Sequence, residues 1–307
     1  MMDSSDIKQF AATLGLDCVG IAPAELPQPH YAEDPPCPLA AGTGTDRYEP
    51  RRLLPSCHSV IVILFPYYTA QTEAANLSIY CRSADYHTIV RSYLERIASY
   101  LQQQYPGSEQ HCVIDTSPLS DRWLAYQAGL GFWGDNRCLI NDTYGSYVFI
   151  GSILTSLPLL PDKPLQKECR HCGACRTACP GQCFSDDAYD YSRCKSYITQ
   201  KKGSLTLPEI QCLKKTPIIF GCDACQELCP HNADAKATPL PEFYHNRLTQ
   251  LYCSDIESLS NKQFQQIFGN RAFAWRGKKV LLRNMKYAAQ SDASVLTENR
   301  NDGKNNI

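Results

Sequence analysis

The spacing of apolar positions divides the chain into stretches of different character. In the first half, helical and strand periods alternate. DIKQFAATLGL carries apolar residues at helical intervals, SVIVILFPYY is an unbroken β-branched run that reads as a buried strand, and TIVRSYLERIASYLQQ is an amphipathic helix. CVIDTSP reads as a strand running into a turn, RWLAYQAGLG as a helix stopped by glycine, and SYVFIGSILTS as a further strand. This alternation predicts an α/β layer over residues 1–160. Residues 27–44, rich in proline and glycine, read as a long surface loop. The apolar period lapses over 161–235 and returns in SNKQFQQIFG and KKVLLRNMKYAA, which predict a helical segment over 236–290. The polar stretch 291–307 predicts a disordered tail.

Cysteine changes the picture in the middle of the chain. Most of the 17 cysteines lie between residues 169 and 229. CRHCGACRTACP places Cys169, Cys172, Cys175 and Cys179 at C-x2-C-x2-C-x3-C-P spacing, and CDACQELCP places Cys222, Cys225 and Cys229 in a truncated second run. Three cysteines three residues apart wrap one cubane cluster, and the cysteine before proline reaches across to the other cluster. The spacing therefore assigns Cys169, Cys172, Cys175 and Cys229 to cluster 1. Cluster 2 takes Cys179, Cys222 and Cys225 and needs a fourth ligand, because Ile219 stands where a further cysteine would complete the run. Cys183, Cys194 and Cys212 are the candidates. Zinc also favours paired C-x2-C, but its sites close with four ligands and do not call for x3-C-P in both runs. Residues 161–235 thus read as a ferredoxin-like module holding two [4Fe–4S] clusters, organised by metal more than by packing.

With 307 residues the chain is long enough for one large domain or two moderate ones. It shows neither a charged and apolar leader nor an apolar run of about 18 residues, so export and membrane spanning are not expected. Clustered cysteines at metal spacing fit a reducing, cytoplasmic setting better than a disulfide framework. The net charge of −1 gives no overall pull toward nucleic acid, but eight Lys or Arg between 247 and 286 face only Asp255 and Glu257. A simple two-cluster carrier has no need of the first 160 residues, whose own buried strands predict a pocket for a reaction that consumes electrons.

Several blocks, taken in order, resemble the epoxyqueuosine reductase family. They are PRRLLPSCHSVIVILFPYY, YCRSADYHTIV, DTSPLSDRWLAYQAGLGFWGDN, GSYVFIGSI, both cysteine runs, SRCKSYI and FAWRGKKVLLRNMKYAA, spanning roughly residues 5–290. The resemblance implies a cobalamin-binding α/β domain ahead of the cluster module, in a family related to the reductive dehalogenases. It implies reduction of epoxyqueuosine to queuosine in a tRNA anticodon stem-loop, fed by an unidentified low-potential electron donor. Members often continue into a C-terminal helical-repeat module, and the resemblance, which runs out near residue 290, implies a short form without it. The family's R-C-x-S-Y segment matches Arg193 to Tyr197 and makes Cys194 the fourth ligand of cluster 2. Its D-T-x-P-L turn makes Asp115 the proton donor, with Ser117 where glycine is usual. A carboxyl that donates a proton near neutral pH needs a desolvated site that raises its pKa. Asp121, in the same turn, is assigned no role.

Tyr80, Arg82, Tyr86, His87, Gly131 and Gly134 are further candidates for the cobalamin pocket. Val90 occupies the glycine position of a D-x-H-x-x-G motif, so His87 is not read as a cobalt ligand. Arg271, Arg276, Lys278, Lys279 and Arg283 are candidates for a phosphate-binding face toward tRNA. The competing readings are a cobalamin and iron–sulfur reductase of a small molecule, and a ferredoxin-type carrier.

Overall fold

In a computed structural model, which describes residues 3–27, 37–70, 73–185 and 188–298, the chain forms two compact units. Residues 28–36 of the expected loop lie outside the described residues. The first unit combines 1–70, 86–173 and 229–245, and the second combines 71–85, 174–228 and 246–307. The contiguous segments drawn from sequence at 160 and 235 are therefore interleaved.

The first unit runs α1 (Ser5–Thr13), β1 (Val19–Pro23), β2 (Ser59–Pro66), α2 (Tyr86–Gln104), β3 (Gln110–Ile114) and α3 (Asp121–Gln127). A small hairpin of β4 (Phe132–Trp133) and β5 (Leu139–Ile140) precedes β6 (Val148–Thr155). The main sheet has the order β1-β2-β6-β3, and every pairing in it is antiparallel. Of the two classes that the alternation of helices and strands allows, α+β and α/β, the antiparallel pairing makes this unit α+β. The apolar run of β2 reflects burial on both faces, which says nothing of strand direction. Val60, Val62 and Leu64 pack with Leu124, Ala125 and Ala128 around α3. The alternate residues Ile61, Ile63 and Phe65 are equally buried on the opposite face. There α2 lies against the sheet at Gly151, where a β-carbon would stand 2.7 Å from Val90 Cγ1 and 3.1 Å from Leu94 Cδ1. The 229–245 segment is part of this core: Leu240 and Phe243 are buried, and Glu242 accepts a 3.0 Å hydrogen bond from Tyr93 on α2.

The second unit is helical, with α4 (Ala174–Ala178), α5 (Lys195–Gln200), α6 (Leu207–Lys214), α7 (Ala224–Glu227), α8 (Cys253–Ile256), α9 (Asn261–Phe268) and α10 (Lys278–Glu298). Thr206 and Glu209 close a capping box at the start of α6. Helix α10 packs on α5 and α6, and buried Asn284 fastens it by donating to Thr199 O at 2.7 Å and Ile219 O at 2.8 Å. It continues to Glu298, past the point where a disordered tail was expected, because QSDASVLTE contains no glycine or proline to stop it. Residues 299–307 of that expected tail lie outside the described residues. Among the described residues, no helix is long and apolar enough to cross a membrane.

Candidate active site and cluster ligands

Strand β3 lies at the sheet edge and its last residues, Val113 and Ile114, are buried. The next residue, Asp115, has φ of 44°, and Thr116 N–H closes a three-residue turn onto Ile114 O. A non-glycine residue held in this region stores backbone strain. The turn aims the Asp115 carboxylate at Tyr86 and His87, the first residues of α2. Tyr86 Oη donates to Asp115 Oδ2 at 2.6 Å, and His87 Nε2 stands 3.4 Å from the same oxygen. Tyr86 is held in turn by stacking on Phe149, with ring centroids 4.1 Å apart.

These contacts act against the expected electrostatics. His87 first, and then Tyr86, hold the Asp115 carboxyl below the ordinary carboxylate range, against an opposing effect of burial. Its side chain is 61% exposed. The elevated pKa belongs to Asp121 instead. Burial, reinforced by the negative charge of Asp115, pushes Asp121 up to about 7, with Arg122 and Arg47 opposing. Asp121 Oδ1 is buried without a hydrogen-bond partner. Asp115 and Asp121 line one cavity of about 290 Å³ together with Tyr86, Ser117, Arg47 and Arg122. Sequence reading passed over Asp121, because a carboxylate in the first turn of a helix is ordinarily stabilised in its charged form. Only the fold brings it beside a second carboxylate.

The other pocket candidates fall elsewhere. Arg82 is buried in the second unit and donates from Nε to Leu77 O at 2.9 Å, and Tyr80 packs near Phe220. A β-carbon at Gly131 would stand 2.6 Å from Ile140 O, and one at Gly134 would stand 2.7 Å from Ile140 Cδ1. Both glycines therefore let the β4–β5 hairpin close on itself. None of these four residues lines this cavity.

The cysteines gather in two places. In the first unit Cys229 lies near Cys169, Cys172 and Cys138, and burial together with their charges raises its thiol pKa. His171 Nδ1, 2.9 Å from Asp135 Oδ1, is beside Cys169. Cys175, on α4 of the second unit, is buried. In the second unit Cys183 Sγ is 3.2 Å from Cys179 Sγ, and Cys183 lies beside Cys194. The proximity of Cys183 lowers the thiol pKa of both neighbours. Cys222 lies near Cys194, Cys225 sits on α7, and Cys212 hydrogen-bonds to Arg193 O at 3.9 Å. Lys195, next to Cys194 and almost wholly buried, donates to Leu213 O at 2.9 Å and to Thr216 O at 2.8 Å.

Most of the expected basic face is turned to structural use. Arg271 donates to the carbonyls of Arg82 and Asn246, and Lys278 to those of Glu257 and Leu259. Arg283 binds the carbonyls of Lys201 and Gly203 at 2.7 Å and of Ile198 at 3.3 Å. A guanidinium whose donors are spent on backbone carbonyls has few left for phosphate. Of the other two, Lys279 is exposed and Arg276 is stacked 3.7 Å over the half-exposed ring of Trp275.

Residues 47–116 match the family described as epoxyqueuosine reductase QueG, DUF1730, and residues 168–232 match a 4Fe-4S double cluster binding domain. The epoxyqueuosine reductase of Bacillus cereus is 33% identical over 92% of this chain and 80% of that protein. A solved epoxyqueuosine reductase, bound to an epoxyqueuosine-modified tRNA-Tyr stem loop, superposes with a TM-score of 0.80 at 27% identity, over 96% of this chain and 83% of the other. Another, from Bacillus subtilis and described with its catalytic aspartate loop swung out of the active site, gives 0.77 at 26% identity over 96% and 83%. The first matched segment contains the strand and turn of Asp115, the second contains both cysteine runs, and the identity is sustained along most of both proteins, so the chain belongs to the epoxyqueuosine reductase family.

Proposed function

We propose that the chain reduces epoxyqueuosine to queuosine in a tRNA anticodon stem-loop. The observation that carries this reading is the paired-carboxylate cavity at the end of β3, in a chain that also bears the double-cluster cysteine pattern. Removing the epoxide oxygen as water takes two electrons and two protons, so the site must deliver charge from one direction and protons from another. Cys169, Cys172, Cys175 and Cys229 are assigned to one [4Fe–4S] cluster and Cys179, Cys194, Cys222 and Cys225 to the second, with a low-potential donor feeding them.

The cavity could receive only part of a cobalamin: Val148, Phe149 and Ile150 would offer it apolar surface, and Arg47, Ser117 and Arg122 would offer hydrogen-bond donors. When bound, cobalamin supplies the low-potential centre for reduction of the strained C–O bond. The chain's own residues manage the proton. Asp115, held ionised by His87 and Tyr86, must first take up a proton to serve as donor to the departing oxygen, and Asp121, which holds a proton near neutral pH, is the neighbouring group that supplies it. Their divided pKa values give the two carboxyls separate tasks. Lys279, Arg276 and Trp275 are the residues best placed on the second unit to meet tRNA.

Nucleoside analysis of tRNA from a deletion strain tests the reading. Epoxyqueuosine should accumulate and queuosine disappear, with reversal on complementation. Unchanged queuosine in that strain rules the reading out.

A further inference from the structure

The second unit holds more thiols around cluster 2 than a cubane can use. Cys183 is 3% exposed, makes a 3.2 Å sulfur–sulfur contact with the assigned ligand Cys179, and lies beside a second assigned ligand, Cys194. Its backbone N–H also points at Cys179 Sγ, at 3.5 Å. The local chain fixes this arrangement. Gln182 adopts φ of 50° and turns Cys183 back toward Cys179, and Asp190 N–H bonds Cys183 O at 2.9 Å. Gly181 is pressed so closely on the residue before Cys194 that a β-carbon there would fall 1.7 Å from Arg193 O. The loop carrying Cys183 is thus pinned to the segment carrying Cys194, and the two sulfurs stay together. Cys212 is nearby but its sulfur is directed to Arg193 O.

We propose that Cys183 is a reserve ligand of cluster 2, a fifth thiol that takes over the iron of Cys194 when that ligand leaves or is removed. This rests on the assignment of Cys194 to cluster 2 made above. The exchange balances without an oxidant: the Cys183 thiol gives up its proton and forms an Fe–S bond, the Fe–S bond to Cys194 breaks, and the Cys194 thiolate takes the proton. No electron is transferred, because both ligands are thiolates and the iron keeps its oxidation state. A cluster with an interchangeable ligand survives transient loss of one bond, where a four-thiol site opens an iron to solvent.

The test is iron and acid-labile sulfide content after anaerobic reconstitution of the full chain, with electron paramagnetic resonance of the dithionite-reduced protein. The parent should hold about eight iron, as should Cys183→Ala and the double variant Cys194→Ala/Cys212→Ala. Cys194→Ala should also keep about eight, with altered cluster 2 resonances, whereas Cys183→Ala/Cys194→Ala should drop to about four. Cys194→Ser, which keeps a polar side chain, guards against misfolding and should match Cys194→Ala. If Cys194→Ala falls to the level of the Cys183→Ala/Cys194→Ala pair, Cys183 holds no reserve role. Loss of iron in Cys183→Ala alone makes it a primary ligand and overturns the proposal as well. A parent that saturates at about four iron refutes the two-cluster reading itself, a separate and distinguishable failure.

Discussion

Replacing Asp121 by Asn should make the protein more stable at neutral pH and leave it unchanged in acid. The folded state raises this carboxyl from 3.8 to about 7. Between those values the native protein binds more protons than the unfolded chain, so native stability falls as pH rises through this window, and the penalty is complete above about pH 7. A shift of about three units corresponds to about 4 kcal/mol as an upper limit, at 1.36 kcal/mol per unit. Asp121 as a whole retains some exposure, so a gain of about 1–3 kcal/mol is expected. Asn keeps the size and cannot ionise, which isolates the charge. Urea unfolding of reconstituted parent and variant, under anaerobic conditions at intervals from pH 4 to 8, gives the difference directly. The two should coincide near pH 4, diverge through pH 5–7 and run parallel above. A difference that does not vary with pH would refute the assignment of the shared-cavity proton to Asp121.

Asp115→Asn should retain clusters and cobalamin while epoxide reduction falls by ~10²–10⁴, measured on a modified stem-loop; turnover within a few-fold of the parent removes Asp115 as donor. Arg283→Met, which abandons the carbonyls of Ile198, Lys201 and Gly203, should cost about 2–4 kcal/mol in urea unfolding, and an unaltered midpoint would show that those bonds hold nothing together. Reversing charge at Arg276 and Lys279 together should weaken stem-loop binding and reduce the salt dependence of the association constant by about two counterions; an unaltered slope takes this surface out of the interface.

The cysteine chemistry was the most legible part of the chain, because cluster ligation imposes a spacing that survives in one dimension. The helices and strands were also legible, since periodicity reports burial. Sheet direction was not: β2 is apolar throughout because α2 and α3 cover opposite faces, and an antiparallel strand buried on both sides reads like a parallel one. Contacts that depend on partners distant in sequence were not legible either. Arg271 and Arg283 count as surface charge in a sequence and become backbone ties once the carbonyls of Asn246 and Lys201 are brought to them. The acidity of Asp115 departs from expectation for the same reason, with His87 lying 28 positions before it and yet holding it charged.

The pairing of β2 with β6 has a consequence for how the protein is made. Ser59 meets Thr155 and Pro66 meets Val148, so the central pair of the sheet joins strands separated by most of a domain's length. Closing such a loop is entropically slow, and a sheet built on non-local pairs cannot form early in synthesis. The first unit also requires Leu240 and Phe243 in its core, which leave the ribosome after every assigned cluster cysteine. All the assigned thiols are thus synthesised before the catalytic unit can finish folding, which leaves a period during translation in which iron and sulfide can be delivered to an open chain.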